Sequence, residues 1–383
     1  MELFKASNQW ATRPDDERFS SLEEMYQATK GYADIAQTSH LPYNDLRVEA
    51  MDGEVKIAGR TGVFARLTHW AFGQMARVVN APADYLRGLP ATLACQNLNY
   101  GLKNREDTGT QAELLFHKNG DLLLRSMTSD RYARIWNHSI VSRLRELEPK
   151  GWTIPPARPY KQGQKGTRPA TVADVMKGNK SGLSIKEGDL IAPAGLYASD
   201  HDMFAFMVNE DHPIDSGTGK PMYKGFFCWN SEVGASTFGL MTFLYDVVCG
   251  NHIVWGASNV KEVRLRHIGN VDAKSTMQMQ VELRRYAETS VGDIEMQIVR
   301  ARKMQIESDK DKVLDVLFQK RVSSYKNLEK AYDLAEIHQD VNGAPTTVWG
   351  MVSGLTRLSQ EAPYTDDRNA LDRQAGKLLE MSF

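Results

Sequence analysis

Acid and imidazole side chains crowd one stretch of the 383-residue chain: Asp200-His201-Asp202, then Glu210-Asp211-His212 and Asp215. Such groups at the two ends of one strand would hold magnesium or manganese. Asp200, His201, Asp202, Asp211 and His212 would then support metal-assisted phosphoester hydrolysis. Against this, residues 200–202 point to alternate sides if extended, no His-Glu-x-x-His spacing exists, and Asp at strand ends is ordinary turn chemistry. A second set flanks an apolar run, with Asn230-Ser231-Glu232 before it, Cys249-Gly250-Asn251-His252 after it and Arg266-His267 beyond. Cys249 beside His252 or His267 would make a thiol nucleophile and its base. The plainer reading is a small buried thiol at a helix end, with Asn251 as the C-terminal cap.

The third set is cationic. Between Arg158 and Glu187 stand Arg158, Lys161, Lys165, Arg168, Lys177, Lys180 and Lys186. They face two acids, Asp174 and Glu187, so the local charge is +5 in a chain that sums to −1. Flexible cations neutralise phosphates, and a neighbouring Tyr160 would stack a base. The alternative is a solvated loop whose charge keeps it soluble. The near-neutral total is a cancellation by acids elsewhere, including Glu361, Asp366 and Asp367, so it excludes bulk electrostatic attraction to nucleic acid but not a local basic patch.

Other chemistries lose their footing. Gly217-Thr-Gly219-Lys220-Pro221 looks like the end of a phosphate loop, but Ile214 stands where Gly is needed and Pro221 where Ser or Thr is needed. No G-x-G-x-x-G opens a helix after a strand, and no G-x-S-x-G elbow occurs, so no nucleotide cofactor and no serine nucleophile is indicated. Cys95, Cys228 and Cys249 are too few and too scattered for a disulfide framework or a zinc knuckle. The start of the chain has neither a cationic nor an apolar leader, and no eighteen consecutive apolar residues occur. The expectation is a soluble cytoplasmic protein without membrane contact.

The elements that must position these residues follow from pattern. At 42% hydrophobic and 25% charged, the chain can bury a real core. It divides into residues 1–105 (arm, hairpin and helices), 106–270 (an α+β core with a basic insertion at 150–188) and 271–383 (helices). Ser20 and Ser21, each three residues before a Glu, start a helix that runs to about Ile35. Asp52-Gly53 and Asn119-Gly120 mark two hairpins. Helices are expected at 68–79 and 83–86, and another from Ser129 that places Tyr132, Ile135 and Trp136 on one face, with Ile140 and Leu144 further along. Phe204–Val208 and Gly225–Trp229 read as buried strands, Phe238–Val248 as an apolar helix, and Val263–His267 as a strand with one wet face. Leu283, Ala287, Val291, Ile294, Ile298 and Ala301 mark one long amphipathic helix, followed by helices at 311–322, 328–338, 346–357 and 368–380. The class is thus α+β, a mixed or antiparallel sheet core between a helical N-terminal region and a helical C-terminal extension.

Several segments resemble the phage- and plasmid-borne family labelled domain of unknown function 932. They are Leu67-Thr-His-Trp-Ala-Phe-Gly-Gln-Met-Ala76 with Ala81-Pro-Ala-Asp-Tyr-Leu86, Ser129-Asp-Arg-Tyr-Ala-Arg-Ile135 and Trp229-Asn-Ser-Glu-Val-Gly-Ala-Ser236. Val248-Cys-Gly-Asn-His252, Arg266-His-Ile-Gly269 and Thr347-Val-Trp-Gly-Met-Val-Ser-Gly-Leu-Thr356 follow in order. His252 stands where the family pattern suggests a small or apolar residue. The resemblance implies a mobile-element protein of DNA maintenance, recombination or counter-defence. The element order is also similar to that of single-strand annealing proteins of the RecT, Red-beta and Erf kind, which form oligomers and hydrolyse no nucleotide. The leading expectation is therefore a homo-oligomeric single-stranded DNA-binding protein that hydrolyses no nucleotide. Arg158, Lys161, Lys165, Arg168, Lys177 and Lys180 would contact phosphates, Arg131, Arg134, Arg264 and Arg266 would extend the groove, and Tyr132 or Tyr160 would stack bases. The alternatives are the metal-dependent hydrolase above and a module that binds a host defence protein. Asn230, Ser231, Glu232, Cys249, Asn251 and His267 stand out as polar positions of the shared motifs.

Overall fold

The computed structural model describes residues 15–58, 63–105, 110–154, 168–172, 175, 186–191, 195–199, 202–217, 221–246, 251–253, 263–361 and 365–383. The first described α-helix is α1 (Leu22–Asp34), whose N-cap Ser21 accepts from the Glu24 amide while the Glu24 carboxylate accepts from Ser20. Next come β1 (Ala36–Pro42), β2 (Val48–Met51), β3 (Glu54–Ala58) and β4 (Phe64–Leu67). Asp52 and Gly53 both take positive φ (54° and 78°), the tight turn that matches strand twist, so β2 and β3 pair as expected. Helices α2 (His69–Val78), α3 (Ala83–Arg87) and α4 (Ala91–Lys103) precede the hairpin of β5 (Gln111–Asn119) and β6 (Asp121–Ser129). These strands form one sheet of order β1-β5-β6-β4-β3-β2, antiparallel except for β4 beside β6. Val48, Ile57, Leu114 and Leu124 pack against Met75 of α2 and Leu98 of α4 in a core of their own.

A second sheet follows α5 (Asn137–Arg145) and three short strands, β7 (Trp152–Thr153), β8 (Arg168–Pro169) and β9 (Leu190–Ile191). Its central ladder is β10 (Leu196–Ala198), β11 (Met203–Asp215), β12 (Pro221–Asn230), β13 (Phe238–Asp246) and β14 (Asn251–Ile253). Strand β7 pairs with β11, and β15 (Val263–Leu265) with β13. The C-terminal third is α6 (Val271–Glu288), α7 (Val291–Lys303), α8 (Lys310–Gln319), α9 (Tyr325–Ile337), α10 (Gln339–Asn342), α11 (Val348–Glu361) and α12 (Thr365–Leu379). One sheet face, with Ala205, Met207, Phe226, Cys228, Leu240 and Leu244, shares a single core with α1, α5 and these helices. The opposite face carries Phe206, Val208, Phe227, Met241 and Phe243 as a separate apolar cluster.

Four expectations are corrected. Phe238–Asp246 is a strand, because both of its faces are buried and a two-sided apolar run has the same appearance as a helix. Asn251 therefore sits at the start of β14 and caps no helix. Residues 129–136 are not helical: Tyr132 bridges Ile268, the Ala133 amide donates to His267, and Trp136 is extended, so the helix waits until Asn137. The long C-terminal helix is two, since the Ser290 hydroxyl accepts from the Asp293 amide and starts α7 afresh. Strands β5 and β6 lie in the first sheet, α4 is a helix that no pattern marked, and the C-terminal helices share the core of the second sheet.

Where α11 crosses α9, a Cβ on Gly354 would overlap the Ala331 carbonyl and touch Ala335. Gly354→Ala should lower stability by about 1–3 kcal/mol in urea denaturation through overpacking. Gly31→Ala, on an open face of α1, should instead raise it by up to about 1 kcal/mol.

Candidate functional site

The two sheets meet at residues 230–236, the connection between β12 and β13, and the joint is polar. The Arg125 guanidinium of β6 pairs with the Glu232 carboxylate at 3.0 Å, and both side chains are 2% exposed. Arg125 also donates to Nε2 of His117 at 3.0 Å. A guanidinium has no acceptor, so His117 is neutral with its proton on Nδ1. The other Glu232 oxygen accepts from the Asn137 amide at 2.8 Å, at the start of α5. Arg134 donates to the Glu232 carbonyl and pairs with Glu113 of β5. Asn230 donates to the Ile135 carbonyl and the Asn137 side chain.

The rest of the loop is held from three sides. Trp70 and Gln74 of α2 both donate to the Val233 carbonyl, at 3.0 and 2.7 Å. The Ser231 hydroxyl accepts from the Val233 and Ala235 amides, closing the turn internally. Gly234 sits at φ +80°, beside Thr128, Tyr132 and Gln74, where an L side chain is strained. The Tyr132 hydroxyl donates to the Ser231 carbonyl, and burial raises its pKa. Its ring stacks on His267 at 4.9 Å. His267 Nδ1 donates to the Ala133 carbonyl, and its Nε2 has no partner among the described residues. Burial depresses this imidazole to about 4, so it is neutral at pH 7.

Segments far apart in sequence thus converge on one loop: 67–76, 129–135, 229–236 and 266–269. Of the polar motif positions, Asn230, Ser231, Glu232 and His267 are brought together. Asn251 lies at the other end of β13, paired with Asp246, and Cys249 falls outside the described residues. Cys95 and Cys228 are buried free thiols, and burial pushes Cys228 up to about 12, so it is inert as a nucleophile. The partners that sequence reasoning missed are Arg125, His117 and Glu113. Their spacing from Glu232 exceeds a hundred residues and leaves no local signal.

The cationic positions separate into two groups. Arg134 is internal, held by Glu113 and Glu232, and Tyr132 is turned onto the loop, so neither faces a ligand. Arg131, Arg264 and Arg266 are exposed, and the Arg264 guanidinium lies over the Trp229 ring at 5.6 Å. Arg168 stands in β8, while Arg158, Tyr160, Lys161, Lys165, Lys177 and Lys180 lie outside the described residues. The acid and histidine set does not converge. Asp202 closes a turn with Ser199, whereas Asp211 and His212 follow nine and ten residues later on β11, roughly 25–30 Å away at strand rise. Asp200 and His201 lie outside the described residues, and among those described no group of three acid, His or Cys side chains could hold a metal ion.

Mixed and antiparallel sheets joined by a buried charge latch, each with helices packed against it, define an α+β protein. Residues 169–375 match the family model described as Domain of unknown function (DUF932), and the chain belongs to that family. The match contains the 229–236 loop and His267, while the supporting residues from α2, β5 and β6 lie before it. No curated protein and no solved structure matches the chain. No described helix is long and apolar enough to cross a membrane.

Glu232→Leu strands Arg125 in the interior and should cost about 3–5 kcal/mol in urea denaturation; adding Arg125→Met should recover part of that loss. His267 titrates below its ordinary 6.5, so between pH 6.5 and about 4 the unfolded chain binds the extra proton. Stability should fall as pH drops through that window, by at most about 3 kcal/mol from this group. His267→Gln should flatten that part of the profile relative to the parent protein.

Proposed function

We infer that the protein binds single-stranded DNA along the exposed ribbon at residues 131–133 and 264–268, and acts in strand annealing or recombination without nucleotide hydrolysis. One observation carries this reading: Arg131, Arg264 and Arg266 are exposed on paired segments, with an aromatic ring, Trp229, under Arg264. Cations that track phosphates beside a ring that stacks a base are the physical requirements for sequence-tolerant single-strand binding. The acids nearest the ribbon support it further. Glu113 and Glu232 are turned inward and neutralised by Arg134 and Arg125, leaving the exposed Asp130 as the acid beside Arg131 in sequence. A cavity of about 540 Å³ beside Trp70 and Gln74 adds Arg77 to the cationic side chains around the same loop, and Arg87, paired with Asp84, also lines it. The +5 segment at 158–187 would supply further phosphate contacts, and assembly of several copies would join the ribbons into a longer groove.

Fluorescence anisotropy with a labelled single-stranded oligonucleotide and its duplex, over a salt series, tests this. Binding should favour the single strand and weaken steadily with salt. Combined Arg131→Ala, Arg264→Ala and Arg266→Ala should reduce the salt slope by about 2, at roughly 0.7 per phosphate contact. Absence of binding at low salt, or a triple variant that binds like the parent, would overturn the reading.

A further inference from the structure

The end of the second sheet away from Trp229 holds a cavity of about 330 Å³, within the range of small-molecule pockets. It forms where β11 leaves its ladder. Between the pairs Asn209↔Lys224 and Ile214↔Met222 the chain takes five steps on β11 against two on β12. Bulges of this kind re-aim side chains next to functional sites, and this one brings His212 to the cavity wall. Asn209 is fixed there, its amide donating to the Lys150 carbonyl at 3.1 Å and its oxygen accepting from the Asp211 amide at 3.0 Å. Trp152, in edge contact with Phe226 at 4.9 Å, makes a rigid apolar floor with Leu283 of α6.

The decisive group is Lys224. Its side chain lines the cavity although the residue is 4% exposed. Its Nζ donates to two carbonyls at the end of α6, Ala287 at 2.9 Å and Thr289 at 2.7 Å. An ammonium has three N–H groups; Nζ also lies over the Tyr286 ring at 5.8 Å, and among the described residues the third N–H has no oxygen or nitrogen acceptor and the charge has no ion-pair partner. Burial accordingly lowers the Lys224 pKa. A buried cation without a counter-charge is unfavourable unless something supplies one. The wall offers little that could: Glu146 is paired with Arg143, and Glu288 is exposed to solvent.

We propose that this cavity binds a small organic anion. A carboxylate or phosphate oxygen takes the spare N–H of Lys224, a flat apolar body rests on Trp152 and Leu283, and Arg284 faces the charge from the rim. The site is separate from the arginine ribbon and does not depend on DNA binding.

Calorimetric titration of the full chain with benzoate and with adenosine monophosphate separates the carboxylate and phosphate versions, with benzamide and adenosine as uncharged probes. At least one anion should bind with saturation, and neither uncharged probe should. Arg284→Ala, on the exposed face of α6, should weaken binding about tenfold, the loss of one charge-assisted contact. Lys224→Met should abolish it in protein shown to be folded by circular dichroism, and Arg264→Ala should leave it unchanged. The proposal is overturned if neither anion binds at millimolar concentration, if the uncharged probes bind as tightly, or if Arg284→Ala binds like the parent.

Discussion

The fold turns on the buried ion pair between Arg125 and Glu232. Removing two charges from water is costly, and their mutual attraction offsets that cost only when the remaining donors and acceptors are also satisfied. Here both carboxylate oxygens are used, one by Arg125 and one by the Asn137 amide. Because the pair spans the two sheets, it also fixes where they meet. An apolar joint would allow sliding, whereas a hydrogen-bonded pair with one geometry specifies a single docking.

The same pair shapes the surface. Arg134 and Glu113 complete the internal network, and with Glu232 drawn inward the neighbouring ribbon is left with exposed Arg131, Arg264 and Arg266. Charge sorting of this kind produces a basic surface from a neutral chain. At the other end of the sheet, Lys224 is a cation taken inside without a carboxylate partner among the described residues, held by the carbonyl end of α6. The two ends therefore differ in kind: one neutralises its buried charge with a carboxylate, and the other holds its buried charge on carbonyls in a cavity wall.

Much of this was legible in local pattern. The capping box at Ser20 and Ser21, the positive-φ turn at Asp52-Gly53 and the apolar runs at 204–208 and 225–229 are decided by neighbouring residues, and the structure follows them. The motif Asn230-Ser231-Glu232 was visible as polar residues in an apolar setting, and it forms the centre of the joint. What failed did so where tertiary context overrides local preference. Phe238–Asp246 is buried on both faces, which erases the alternation that would have marked a strand. The segment 129–136 has helical spacing but spends its backbone groups on His267 and Ile268.

The sequence by itself determined the class of the fold, the hairpins, most helices and the family, because each depends on periodicity, turn chemistry or an ordered set of short motifs. The tertiary structure alone decided which charges are buried and which are free. Arg131 and Arg134 are three residues apart and chemically identical, yet one is exposed and the other locked between Glu113 and Glu232. Lys224 likewise reads as an ordinary strand lysine until α6 is folded over it. Whether a charge is solvated depends on what packs against it from distant parts of the chain, and no local pattern carries that information.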